Sequence, residues 1–199
     1  MTETSKTNSF VLTIRSDGET GVDRAALEAV LDYNENATKN IPNIDNNAKK
    51  SSSSLFKVTG WCEKGRLADG EEIPSKYPLI ETPTKGKFQK NEWNVRDSDG
   101  TLYLYSSGAS KPDTGMEVTI EKVKEMNKPF QRIYLDKDIM TNASKLLGWM
   151  NDEKIKVLNV SGPSGSKGSE IYAKAYNFVT SFLKMYEKNL ENNEAGLLS

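Results

Sequence analysis

Apolar positions along the chain follow two spacings that alternate. Phe10-Val11-Leu12-Thr13-Ile14 is a short apolar run that stops at Ser16-Asp17-Gly18, the pattern of a buried strand entering a loop. Val22, Ala25, Ala26, Ala29, Val30 and Tyr33 then recur at helical spacing. Phe56 to Trp61 reads as a second strand, residues 88–97 as a short helix and Leu102 to Tyr105 as another strand. Met116, Ile120 and Val123 share one helical face, and Gln131 to Leu135 is strand-like. Ile139, Ala143, Leu146, Leu147 and Met150 mark a further helix, followed by a strand over Ile155 to Val160. Tyr172, Ala175, Tyr176, Val179, Leu183, Tyr186 and Leu190 lie on one stripe of a last helix. Strand and helix alternate from end to end, which predicts an α/β fold with a mostly parallel central sheet and helices on both faces.

Two stretches interrupt the pattern. Residues 34–54 are rich in Asn, Lys and Ser and end in Ser51-Ser52-Ser53-Ser54, as expected of a low-complexity surface insertion. Residues 62–87 are irregular, with a short edge strand expected within Tyr77 to Thr82, where Pro78 is tolerated. The expected organisation is a disordered N-terminus over 1–8, one domain over 9–190 and a polar tail over 191–199.

Composition narrows the function. The 199 residues carry 27 Lys+Arg against 28 Asp+Glu, so no global basic field draws nucleic acid or an anionic membrane, and anion binding has to be local. With no histidine, Ser-His-Asp and Cys-His nucleophile systems and His-ligated metal sites are excluded. Cys62 is the one cysteine, which rules out an intrachain disulfide and suits a reducing compartment. No stretch reaches the roughly 20 apolar residues of a membrane span, and Met1 to Ser9 lack the apolar core of a secretory signal. A cytoplasmic location is expected.

Ligands of open α/β sheets bind outside the carboxyl ends of the strands, so the loops after strands are the candidate site. The first runs Ser16-Asp17-Gly18-Glu19-Thr20-Gly21-Val22-Asp23-Arg24. Its glycines, hydroxyl and arginine suit an anion at a helix N-terminus, while Asp17 and Glu19 oppose one. Lys64-Gly65-Arg66 puts two cations in the second loop. Ser106-Ser107-Gly108 and Asp113-Thr114-Gly115-Met116-Glu117 form the third, and Ser161-Gly162-Pro163-Ser164-Gly165-Ser166-Lys167-Gly168 the fourth. Glu92 to Thr101 packs carboxylates, amides, an arginine and hydroxyls around Trp93 and Val95, more polar groups than a helix end needs. No catalytic pair stands out, and Glu92, Asp97 and Glu117 are the candidates for proton transfer.

Several of these strings resemble the molybdenum carrier protein family. They are Thr20-Gly21-Val22-Asp23-Arg24-Ala25-Ala26-Leu27, Gly60-Trp61-Cys62-Glu63-Lys64-Gly65-Arg66, Asp69-Gly70 with Ile73-Pro74, Tyr77-Pro78-Leu79, Glu81-Thr82-Pro83, Glu92 to Leu102, and Leu158-Asn159-Val160-Ser161-Gly162-Pro163. The resemblance implies a Rossmann-like three-layer fold related to the SLOG superfamily, and binding of molybdate or an oxomolybdate cluster, with supply for molybdenum cofactor synthesis as its use. The chain departs from that family where Asp17-Gly18-Glu19 replaces Gly-Gly-Gln, and where Pro112-Asp113-Thr114-Gly115 has one glycine fewer before Thr114.

On that reading the protein is a carrier rather than an enzyme, with a small anionic ligand, no nucleic-acid or membrane partner, and a homo-oligomer compatible with its aromatic content. The expected ligand contacts are backbone N–H groups near Gly18, Gly21, Gly115 and Gly162, with Thr20, Asp23, Thr114, Glu117 and Ser161 around them. Arg24, Lys64, Arg66 and Arg96 would supply charge, Asn94 and Ser98 would orient the ligand, and Asp97 would organise the loop. Two alternatives stay open: a SLOG-like site for a nucleotide-derived ligand, acting as a sensor or as an N-glycosidic hydrolase with Glu117 or Glu92 as acid–base, and a degenerate member kept for protein interaction.

Overall fold

Apart from five successive short strands over 56–81, strand–helix alternation holds along the residues that the structure, a computed structural model, describes: 12–39, 56–86, 88–107 and 114–197. In chain order they form β1 (Leu12–Arg15), α1 (Val22–Lys39), β2 (Phe56–Thr59), β3 (Trp61–Cys62), β4 (Leu67–Ala68), β5 (Glu71–Glu72) and β6 (Ile80–Glu81). There follow α2 (Gln89–Arg96), β7 (Gly100–Tyr105), α3 (Thr114–Glu125), β8 (Phe130–Tyr134), α4 (Ile139–Asp152), β9 (Val157–Ser161) and α5 (Glu170–Leu197). The expected N-terminal segment 1–8, Phe10 and Val11 of the first strand, most of the 34–54 insertion, and Gly108, Pro112 and Asp113 of the third loop lie outside the described residues. The first six residues assigned to the insertion continue α1, and α5 runs through most of the stretch assigned to a polar tail.

A five-stranded parallel sheet in the order β2-β1-β9-β7-β8 carries the fold. The last strand is therefore central: Ile14 pairs with Leu158 on one side, and Leu158 pairs with Gly100 on the other. The connection after β1 leads outward to β2, and the connection after β7 leads outward to β8. Strand order thus reverses around β9, which opens a crevice above its carboxyl end.

The two faces of the sheet differ in chemistry. Leu12, Ile14, Phe56, Leu102, Leu104, Ile133, Leu158 and Val160 point to one face and pack with α1, α4 and α5 into the main core. Alternate residues point the other way, and there Thr101 and Asn159 are buried with Asn94 of α2 and Thr119 of α3. Asn159 Nδ2 lies 3.3 Å from Thr101 Oγ1, and Asn91 Nδ2 lies 3.4 Å from Thr119 Oγ1. The layer under α2 and α3 is polar.

The strand expected over 56–61 breaks at Gly60. A Cβ there would come 1.7 Å from the Ser16 carbonyl oxygen, so only glycine lets this chain pass the end of β1. Beyond it β3 pairs with β6, in the segment expected to hold an edge strand. A second small core of Leu27, Cys62, Ala68, Ile73, Tyr77 and Leu79 seats this irregular segment on α1. Among the described residues, no helix is long and apolar enough to cross a membrane.

Candidate ligand cleft at the carboxyl edge of the sheet

Above β9 lies a cleft of about 340 Å³. The β1–α1 loop supplies Asp17 and Glu19, and the first turn of α1 Asp23; α2 and its start supply Phe88, Lys90 and Asn91. The first turn of α3 supplies Gly115 and Met116, and the turn after β9 supplies Ser161, Gly162 and Ser164. Glu63 and Asp69 of the irregular segment close the remaining side. Below the cleft a narrow polar crevice is bounded by Asp17, Asp23, Asn91, Asn94, Thr119, Asn159 and Ser161.

Local sequence explains the shape of the first loop. The Asp17 carboxylate accepts the Glu19 N–H at 2.9 Å, a side-chain turn that Asp favours. Gly21 has φ +85°, and a Cβ there would meet the Pro163 carbonyl oxygen at 2.3 Å. That glycine lets the loops after β1 and β9 touch, and the Val22 N–H donates to the same Pro163 carbonyl at 3.2 Å.

Lys90 dominates the electrostatics of the cleft. Its ammonium lies 2.7 Å from Asp17 Oδ2 and 2.7 Å from Glu19 Oε1, with the side chain 8% exposed. Burial pulls that ammonium towards neutrality, but Asp17 and Glu19 outweigh it and hold its pKa above the ordinary lysine value. Burial pushes the Glu19 carboxyl up, and Asp17 and Asp69 add to the shift against Lys90. Asp23 is raised furthest, first by burial and then by Asp17, with Lys90 and the Ser16 hydroxyl opposing. The Ser16 hydroxyl lies 2.9 Å from Asp23 Oδ1 and 2.8 Å from the Val160 carbonyl oxygen.

Of the residues expected at the site, Asp23, Gly115, Ser161 and Gly162 line the cleft, and Asn94 lies at the crevice beneath it. The others are placed elsewhere or are engaged. Gly18 packs against Leu79 and Ile73 and offers its carbonyl to Arg24, whose guanidinium is 3.0 Å away. Arg66 binds the carbonyls of Leu79, Pro74 and Tyr77 at 2.9, 3.2 and 3.0 Å, so it pins the irregular segment. Lys64 and Glu117 are exposed away from the lining. Thr20 donates to Asp69. Thr114 opens α3.

The Glu92 to Thr101 string is divided by the direction of α2. Lys90 and Asn91 sit at the cleft, whereas Arg96, Asp97 and Ser98 follow the helix down to the start of β7. Asp99 there binds the start of β9, accepting the Lys156 and Val157 N–H groups at 2.9 and 2.7 Å. A segment that precedes a strand of a parallel sheet reaches its amino edge, opposite the loops that follow strands. Asn94 is a clamp: its amide accepts the Trp61 N–H at 2.8 Å and donates to the Trp61 carbonyl at 2.9 Å. Asp97 accepts the Trp61 indole N–H at 2.7 Å and pairs with Arg96, which stacks over Trp93. The Ser98 hydroxyl donates to the Asn94 carbonyl at 2.6 Å. Glu92 does not line the cleft.

Of the other lining residues, Met116 and Ser164 stand in the third and fourth candidate loops, whereas sequence reasoning did not place Lys90, Asn91, Phe88, Glu63 and Asp69 at the site. One signal pointed to Lys90: Asp17 and Glu19 were two unpaired carboxylates in a loop that had to be buried, and such a loop needs a cation. Among the described residues, no three of His, Cys, Asp or Glu are arranged to hold a metal ion.

No curated protein matches the sequence. A crystal structure from Syntrophus aciditrophicus SB, of a protein named "Putative molybdenum carrier protein", is similar to this one with a TM-score of 0.69 and 32% sequence identity, covering 88% of this chain and 96% of that one. The family model described as the circularly permutated YpsA SLOG family matches residues 14–183, and the chain belongs to that family.

Proposed function

We propose that this protein binds a small oxyanion of the molybdate type in the cleft above β9. The observation that carries the reading is that the first turn of α3, at Gly115 and Met116, lines that cleft together with Ser161, Gly162 and Ser164. The positive end of a helix and nearby hydroxyls are what an oxyanion needs. The 32% identity to a protein named as a molybdenum carrier supports molybdenum as the element. The Asp17, Glu19, Asp69 and Glu63 carboxylates that also line the cleft accept hydrogen bonds, which suits an oxyanion bearing protons or a cluster presenting hydroxyl groups better than a bare dianion.

A second reading, a nucleotide-derived ligand, is favoured by membership of the SLOG family. A ligand with hydroxyls for the carboxylate wall and one phosphate for the α3 side would use both halves of the same cleft.

Calorimetry with molybdate, tungstate and sulfate, beside thermal-shift screening of nucleoside phosphates and ADP-ribose, separates the two. Heat with molybdate and tungstate, and molybdenum retained by protein purified from molybdate-fed cells, is the expected result. No heat and no retained metal overturns the oxyanion reading. Stabilisation by one nucleotide alone establishes the second.

A further inference from the structure

We infer that Asp23 is the proton-binding group of the cleft: it stands as a neutral carboxylic acid at neutral pH, and anion entry is linked to that proton. The argument begins with a hydrogen count. The Ser16 hydroxyl has one hydrogen and two close acceptors, Asp23 Oδ1 at 2.9 Å and the Val160 carbonyl at 2.8 Å. If Asp23 is ionised, three oxygens share that single hydrogen and one contact is an unrelieved repulsion of lone pairs. If Asp23 is protonated, its O–H donates to Ser16 Oγ and the Ser16 O–H donates to Val160, so both contacts are satisfied.

Surrounding charge points the same way. Asp23 is 4% exposed. From the loop before its helix it faces Asp17 and Glu19, against Lys90 of α2 and the N-terminus of α1, in whose first turn it lies. Lys90 is already shared between those two carboxylates at 2.7 Å each, and no ion pair reaches Asp23 among the described residues. The neighbours from the other packed elements are neutral: Asn159 and Ser161 of β9, and Thr119 of α3. Glu63 and Asp69 across the cleft add negative charge. A buried carboxylate without a cation, beside others that hold the available one, relieves its desolvation by taking a proton.

The proton comes from solvent, no bond in the ligand breaks, and the lining loses one negative charge. An anion therefore binds best to the protonated form. From neutral pH upward its affinity falls by up to about tenfold per pH unit as pH rises through the Asp23 pKa of the free protein. Protonation of Asp23 stands on this chain's geometry alone; the anion linkage rests on the oxyanion reading above.

The test has two arms. Difference infrared spectroscopy of the wild type against Asp23→Asn at neutral pH reads the acid directly. A protonated-carboxyl band present in the wild type, absent in the variant and lost at alkaline pH is expected; its absence overturns the inference whatever the ligand proves to be. Should the variant fail to fold, a carboxyl-carbon NMR titration of aspartate-labelled wild type decides the same point, and an Asp23 signal that titrates in the ordinary carboxylate range overturns it. Calorimetry with molybdate from neutral to alkaline pH, where it stays a dianion, reads the linkage: a falling affinity in the wild type and a flat one in Asp23→Asn is expected. Binding with no pH slope overturns the linkage and leaves the oxyanion reading standing. An infrared band with no molybdate binding at any pH overturns the oxyanion reading and with it the linkage.

Discussion

The Lys90 ammonium bridges Asp17 and Glu19 at 2.7 Å to each, tying the N-terminal turn of α2 to the loop after β1. Removing the cation leaves Asp17, itself 6% exposed, as a buried charge without compensation. Lys90→Met is expected to destabilise the fold by about 3–5 kcal/mol at neutral pH. The loss should shrink as pH falls and Glu19, whose carboxyl burial pushes up, takes a proton. Urea denaturation at neutral and mildly acidic pH measures it, and a cost below about 1 kcal/mol, the worth of an exposed pair, would sink the assignment.

Asp23 carries a pH signature in stability itself. Its folded-state pKa is raised by burial and by Asp17, so folding favours the protonated form. The stabilising contribution is fully present below the ordinary carboxylate pKa and is lost as pH rises through the folded-state value. Glu19, raised by burial, contributes with the same sign. Asp23→Asn keeps a hydrogen donor towards Ser16 and has no charge to bury. Its denaturation midpoint should therefore exceed that of the wild type at alkaline pH and lose the advantage in acid. Parallel curves for the two proteins would contradict this.

Arg66 separates a structural cation from a ligand-binding one. Its guanidinium gathers three carbonyls of residues 74–79. Arg66→Ala should cost about 1–2 kcal/mol and speed hydrogen exchange over residues 67–80. Arg96→Ala, which removes an exposed pair with Asp97, should change stability by less than about 1 kcal/mol and leave cleft-ligand affinity as it was. A large affinity loss in the Arg96 variant would return that residue to the site.

Gly21→Ala tests the contact between the two loops. An added Cβ meets the Pro163 carbonyl at 2.3 Å in a backbone of φ +85°. Strain of about 1–3 kcal/mol is expected, with a lowered melting temperature and weaker ligand binding together. An unchanged melting temperature would mean that the loop after β9 moves freely.

Much of the architecture was legible because the main core obeys simple periodicity. Leu12 and Ile14 alternate, and Ala25, Ala26, Ala29 and Val30 recur as a helix must, so the parallel sheet and its flanking helices followed. Strand order was not legible. Nothing in Val157 to Ser161 says that the last strand lies between the first and the seventh, since neighbouring strands here are far apart in sequence. The edge of the sheet on which the loops gather was legible for a related reason. Loops after strands could be assigned to one edge, and Ser161, Gly162, Gly115 and Asp23 are there. The Glu92 to Thr101 string looked functional because it is dense in polar groups, but Asn94, Asp97 and Ser98 spend them on Trp61 and on the helix itself. The cation of the cleft lay one helical turn earlier, at Lys90, where only the charge of a distant loop could have revealed it.

The central position of β9 also sets an order of assembly. β1 bonds to β2 and β9, and β7 bonds to β8 and β9. Until Val157 to Ser161 have left the ribosome, the sheet exists only as two separate strand pairs, each with a bare edge where β9 belongs. Between the exit of β8, Phe130–Tyr134, and that of β9, a growing chain of this protein therefore carries two half-sheets, each with a bare edge open to wrong pairing until the closing strand arrives.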